Sequence, residues 1–233
     1  MRTLVLWDID HTLISARGLS GEIYREVFHR LTGRQAQHVA DMHGNTDRAI
    51  ITETLTRHDI TPTPELLAAF GDALAEEFTA RHGELRTRGQ ELPGARAALG
   101  ALADRTDVIQ SVLTGNMRQI AISKLTAFDL HTFVDLEVGA YGFDDTHRPP
   151  LVRLARERVA RKYGETFDAA TTVLVGDTPR DVEAGHRGGA RVVAVATGIS
   201  DEAALRSAGA ELVLPDLSDT GAVLRAVLQV SAA

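Results

Sequence analysis

The chain has 233 residues, 44% of them hydrophobic, with a formal net charge of -7 and no cysteine. That length and composition suit a globular protein with one substantial core and room for a smaller second unit. The acidic balance argues against nucleic acid or an anionic membrane as the main partner, and the lack of thiols excludes disulfides, zinc-thiolate centres and cysteine nucleophiles.

The first predicted element is the apolar run Leu4-Val5-Leu6-Trp7, whose β-branched and aromatic content favours a buried strand. The run is too short to cross a membrane, Asp8 and Asp10 interrupt it, and no small-residue cleavage site follows, so a cytoplasmic protein is expected. In an extended chain Asp8 and Asp10 share a face. Two carboxylates roughly 4 Å apart repel by about 4 kcal/mol at an effective dielectric near 20, so the pair asks for a cation, a shared proton or intervening solvent. The alternative is a strand end whose Asp residues cap a helix.

After Thr12 the period changes. Ile23, Val27, Phe28 and Leu31 recur at helical spacing up to Gly33, a second helix begins near Thr46-Asp47, and a third follows Pro64 and runs through Leu66, Phe70, Leu74 and Phe78 towards Gly83. Residues 16–88 therefore read as a helical insertion in a unit made of residues 1–15 and 89–233. His38 and His43 sit in polar surroundings and are expected at the surface or in loops.

From Leu92 helix and strand alternate. A helix starts at Pro93-Gly94, Val108 to Leu113 is a strand, Met117 to Phe128 a helix, and the in-out pattern of Phe133 to Val138 predicts a further strand. Pro149-Pro150 opens a helix, Thr171 to Val175 is a buried strand, Arg180 to His186 a short helix and Val192 to Val195 a strand. A helix near Glu202 to Ala208, a strand at Leu212 to Leu214 and a helix through Val223 and Leu228 complete the chain. The alternation predicts an α/β fold: a doubly wound parallel sheet with helices on both faces.

Such sheets bind ligands beyond the carboxyl ends of their strands. Three predicted strands end there in polar groups: Asp8-Ile9-Asp10, Thr114-Gly115-Asn116, and Gly176-Asp177-Thr178 with Asp181 just behind. Singly, Thr114-Gly115-Asn116 is also an ordinary turn signal, and Gly176-Asp177 could close a strand and cap a helix. Together Asp8, Asp10, Asp177 and Asp181 would form an anionic cluster suited to a hard cation, for which magnesium is the natural candidate. A metal-bound carboxylate can attack phosphorus, and a second carboxylate two residues on can give a proton to the leaving alcohol and take one from water. That division of labour needs Asp10 to hold its proton more readily than Asp8. Thr114 and the backbone N–H groups of Gly115 and Asn116 could hold phosphate oxygens. Arg148, just before a helix, is a candidate cation. Lys124 is a second, but it lies more than two turns beyond Thr114 at about 1.5 Å rise per residue, which favours a surface position.

Asp8-x-Asp10-x-Thr12, the Thr114-Gly115-Asn116 strand end, a basic residue before a helix and Gly176-Asp177-x-x-x-Asp181 resemble, in order, the four motifs of the haloacid dehalogenase-like hydrolase superfamily. The resemblance spans nearly the whole chain and implies a Rossmann-like core with an inserted α-helical cap that selects the substrate. Gly44-Asn45-Thr46-Asp47 resembles the specificity loop of its phosphoglycolate phosphatase-like branch. By that resemblance Asp8 is the nucleophile, Asp10 the general acid and base, and Thr114 a phosphate-binding residue. Mg2+ would be held by Asp8, the Asp10 carbonyl and Asp177, with Asp181 direct or through water. The third-motif position is commonly Lys, and Arg148 takes it here; Trp7 stands where Phe is usual and His11 where Gly is common. Dehalogenase members lack the second carboxylate of the first motif, so Asp10 points to a phosphatase acting on a small phosphate ester, phosphoglycolate being the leading example, as a monomer or homodimer. The alternatives are a sugar phosphomutase, a receiver-like signalling module and a non-catalytic binding protein.

Overall fold

The computed structural model describes residues 2–229. Its main sheet has five parallel strands: β1 (Thr3–Trp7), β4 (Val108–Val112), β5 (Thr172–Gly176), β6 (Arg191–Val195) and β7 (Leu212–Leu214), in the spatial order β4-β1-β5-β6-β7. β1 is an interior strand and is apolar on both faces. Val5 and Trp7 enter one core cluster, with α5 (Ala95–Ala103), α6 (Arg118–Ala127) and α10 (Thr220–Gln229). Leu4 and Leu6 enter another, with α7 (Pro149–Tyr163) and Ala184 of α8 (Pro179–Gly188). Period-two alternation thus distributes one strand between two helical layers. The indole N–H of Trp7 donates to Gln110 on β4 at 3.0 Å, so the aromatic substitution is buried with its polar atom satisfied.

Between β1 and β4 the chain builds α1 (Leu19–Thr32), α2 (Asp47–Arg57), α3 (Pro64–Ala80) and α4 (His82–Arg88). Their apolar faces form a separate cluster around Ile23, Phe28, Leu55, Phe70 and Phe78, closed on the sheet side by Met117, Ile120 and Ala127. Gly33 ends α1 with φ 69°, and the Thr46 and Thr63 hydroxyls cap α2 and α3. The chain enters and leaves this helical block through two short antiparallel strands, β2 (Ile14–Ser15) and β3 (Gln90–Glu91). Neither they nor α4 stood out in the sequence. Strands of two residues carry no period, and α4 buries only Leu85.

One expected strand is absent. Phe133 to Val138 follows a 3-10 turn at His131–Phe133 and continues as irregular chain. Phe133, Val134 and Leu136 pack on the core, which accounts for the apolar rhythm. The segment meets the β4 edge through isolated bonds: Asp135 N–H to the Gln110 carbonyl at 2.8 Å and the Ser111 hydroxyl to the Asp135 carbonyl at 2.6 Å. A single bridge, Leu113 to Ala140, follows.

Candidate active site

β1 lies between β4 and β5, so the chain's crossovers leave it in opposite directions and open a crevice at its carboxyl end. Asp8 follows β1, Thr114-Gly115-Asn116 follow β4, Asp177 follows β5, and Asp181 sits in the first turn of α8. A cavity of about 510 Å³ fills the crevice; Asp8, Asp10, Thr114, Gly115, Asn116, Arg148 and Asp177 line it from the sheet side, and Gly44, Asn45 and Asp47 from the helical block.

Oxygens of Asp8, Asp177 and Asp181 lie within 4.8 Å of one another, all buried. Asp181 is fixed by a capping box: its carboxylate accepts from the Thr178 N–H at 3.0 Å and from the Thr178 hydroxyl at 2.6 Å. The buried Arg148 guanidinium bonds Asp181 and stands 3.3 Å from Asp8, while its Nε has no partner among the described residues. The Thr12 hydroxyl donates to Asp177 at 3.2 Å. Burial pushes both Asp8 and Asp177 well above the usual carboxylate range, and Asp181 adds to the rise in each; Arg148 pulls the other way. Three clustered carboxylates with one guanidinium leave an excess of negative charge, and an all-oxygen donor set of this kind fits a hard divalent cation.

Asp10 belongs to a different network. Its carboxylate accepts from Lys124 Nζ at 2.8 and 2.7 Å and from Asn116 Nδ2 at 2.7 Å, and Lys124 also donates to Asn116 Oδ1 at 2.7 Å. Burial alone would raise the Asp10 pKa, but the Lys124 charge and these bonds hold it below the ordinary value. In the protein by itself the order of the two carboxyls is therefore the reverse of the one a general acid at Asp10 requires, because the ammonium sits on Asp10 while Asp8 is crowded by anions.

Lys124 corrects the surface position expected for it, with 2% of its side chain exposed. Rise along the axis overstates its distance from the strand end, since helical side chains lean towards the N-terminus and a lysine stem spans more than a turn. Its register with Ile120, Ala121, Leu125 and Ala127 on the buried face of α6 was the available signal. Arg148 is also in the site, so both candidate cations are present, one on each carboxylate network.

The Gly44 to Asp47 segment divides. Gly44, at φ 66°, leaves no room for a side chain against the Thr178 hydroxyl, 2.7 Å from where a Cβ would stand. Thr46 is not among the residues lining the cavity; its hydroxyl accepts from Ala49 N–H at 3.2 Å and donates to the Thr146 carbonyl at 2.8 Å. Asp47 has both oxygens engaged, one by the Tyr24 hydroxyl and the other by the Met117 N–H at 2.7 Å. Tyr24 and Asn116 complete these networks; Tyr24 was not singled out in the sequence, and Asn116 was singled out for its backbone N–H, whereas here its side chain bonds Asp10 and Lys124. His11 adopts φ 61°, a left-handed conformation that glycine takes more readily than histidine.

Comparison with known proteins agrees with this fold. No curated protein matches the sequence. Among solved structures, a hydrolase from Pseudomonas syringae aligns at 20% identity and TM-score 0.69, covering 98% of each chain. A Bacteroides vulgatus protein assigned as a beta-phosphoglucomutase aligns at 19% identity and TM-score 0.72, covering 100% of this chain and 91% of that one. A predicted phosphoglycolate phosphatase from Haemophilus somnus aligns at 18% and 0.65, covering 95% and 97%. Likeness at such identities speaks for the fold, whereas the family match is to the sequence itself: residues 5–195, from β1 through β6, fit the haloacid dehalogenase-like hydrolase family, and the chain belongs to it.

Proposed function

We propose that this hydrolase is a magnesium-dependent phosphomonoesterase that passes the phosphoryl group through Asp8. The observation carrying the proposal is the meeting of the Asp8-Asp177-Asp181 cluster, the Asp10-Lys124-Asn116 network and the Thr114 strand end at one cavity. Asp8, Asp177 and Asp181 would hold the cation, with the Asp10 carbonyl. Bound there, Mg2+ would screen the repulsion between carboxylate and phosphate and favour the ionised form of Asp8.

The protein groups do the rest. Thr114, the N–H groups after it and the Arg148 guanidinium orient the non-bridging oxygens. An Asp8 oxygen attacks phosphorus, the bond to the ester oxygen breaks, and Asp10 gives that oxygen its proton. Water then attacks phosphorus on Asp8, Asp10 takes the water's proton, and phosphate leaves with Asp8 restored. An entering phosphate dianion competes for Lys124 and repels the charge on Asp10, and both effects raise the proton affinity of Asp10 towards the value its first step needs. The helical block, residues 16–88, acts as the cap that excludes water from the cavity.

The test is phosphate release from an aryl phosphate with and without magnesium, using Asp8→Asn and Asp10→Asn variants verified as folded. Turnover should require the metal and fall by at least about a hundredfold in each variant. Turnover that survives Asp8→Asn would refute the assignment.

A further inference from the structure

Two of the strand ends that carry the site are held by a third segment, Ala196-Thr197-Gly198, which follows β6 and does not itself line the cavity. The Ala196 N–H donates to the Leu214 carbonyl of β7 at 2.9 Å, so the segment is anchored to the sheet from the far side. Two contacts lead from it to the acidic residues.

The first runs through Thr197. In the turn after β1 the Ile9 carbonyl accepts from the Leu13 and Ile14 N–H groups at 2.9 and 3.1 Å, and the His11 N–H donates to the Ile14 carbonyl at 2.7 Å. His11 takes the left-handed conformation there, and no backbone N–H bonds its carbonyl among the described residues. The Thr197 hydroxyl donates to that carbonyl instead. Fixing the peptide between His11 and Thr12 also fixes the Thr12 side chain, whose hydroxyl bonds Asp177 Oδ1 at 3.2 Å.

The second contact is Gly198. A Cβ there would stand 1.8 Å from Asp177 Oδ2 and 3.4 Å from the His11 Cβ, so bare backbone lies against the carboxylate oxygen that Thr12 does not bond. Asp177 needs this grip more than its neighbours do. Asp181 has Thr178 and Arg148, and Asp8 has Arg148, whereas Asp177 has no ion pair among the described residues and accepts one hydrogen bond, from Thr12.

We infer that Thr197 and Gly198 are positioning residues for the cation: they hold Asp177 and the turn from Asp10 to Thr12 in place from behind. The inference rests on the magnesium-dependent reading above and deepens it. It separates the residues that would hold the metal from two that act through them.

The experiment is calorimetry of Mg2+ binding to the full chain, comparing the unmodified protein with Thr197→Val, Thr197→Ser and Gly198→Ala, each verified as folded by circular dichroism. Thr197→Val keeps the size of the side chain and removes the donor, and it should weaken Mg2+ binding about tenfold, as loss of a group that orients metal ligands does. Thr197→Ser keeps the donor and should bind nearly as the unmodified protein does. Gly198→Ala must displace Asp177 and should weaken binding further. In aryl phosphate hydrolysis Thr197→Val should raise the magnesium concentration for half-maximal rate by the same factor and leave KM for the ester unchanged, a split that lost stability alone does not produce. Unchanged Mg2+ affinity in Thr197→Val, or equal losses in the Val and Ser variants, overturns the inference. An unmodified protein that binds no Mg2+ overturns the magnesium reading and this inference together. Binding without hydrolysis strikes the phosphatase reading alone, and the affinities of the variants still decide the role of Thr197.

Discussion

Asp47 lines the cavity and also ties separate elements together. Its carboxylate joins Tyr24 of α1 to the Met117 N–H at the start of α6, and its own N–H donates to the Gly115 carbonyl at 2.7 Å. Asp47→Ala would leave a buried hydroxyl and a buried N–H unpaired, so it should lower stability by about 2–4 kcal/mol by denaturant unfolding. Burial, opposed by those two bonds, pushes the Asp47 pKa up to about 6. The folded state therefore binds the extra proton, and this group's contribution to stability is lost as pH rises from about 4 to about 6. Asp47→Asn should remove that component of the slope; an unchanged slope would mean that the carboxylate is not the titrating group. The acidic residues of the site were legible as residue types at strand ends, because the chemistry lies in the side chains themselves. What each oxygen touches depends on contacts across as many as 165 positions, as between Thr12 and Asp177, and one sequence carries no record of those.

At the scale of elements, the helical block is tied to the sheet by the start of α2. Besides the Asp47 N–H bond, Arg48 N–H reaches the Gly142 carbonyl at 3.3 Å and the Thr46 hydroxyl reaches Thr146. The backbones come so close that a Cβ on Gly115 would stand 2.0 Å from the Asn45 carbonyl oxygen. Gly115→Ala should therefore displace the Gly44 to Asp47 segment, lowering stability by about 1–3 kcal/mol and exposing the block to protease; wild-type stability and protease resistance would show the contact to be slack. The principal strands and most helices were readable because a buried parallel strand is continuously apolar and a helix over a sheet has one apolar face. Phe133 to Val138 broke the rule since its apolar residues pack on the core without a strand ladder, and α4 escaped because only Leu85 is buried.

For the whole molecule, the sheet and the helical block meet at one cavity: carboxylates with their partner cations line it from the sheet side, and Arg17, Arg25, Asp41 and Asp47 line it from the helical block. Among the described residues no helix is long and apolar enough to cross a membrane. The arrangement has chemical meaning only if the phosphoryl group is carried on the sheet side by Asp8. The most direct measurement is acid-quenched mass spectrometry of the protein mixed with magnesium and an aryl phosphate. A phosphoryl mass should appear on the peptide containing Asp8 and should build up further in Asp10→Asn, where the water step is slowed more than the first. Phosphate release with no such adduct in either protein, or an adduct on a different residue, would contradict the account.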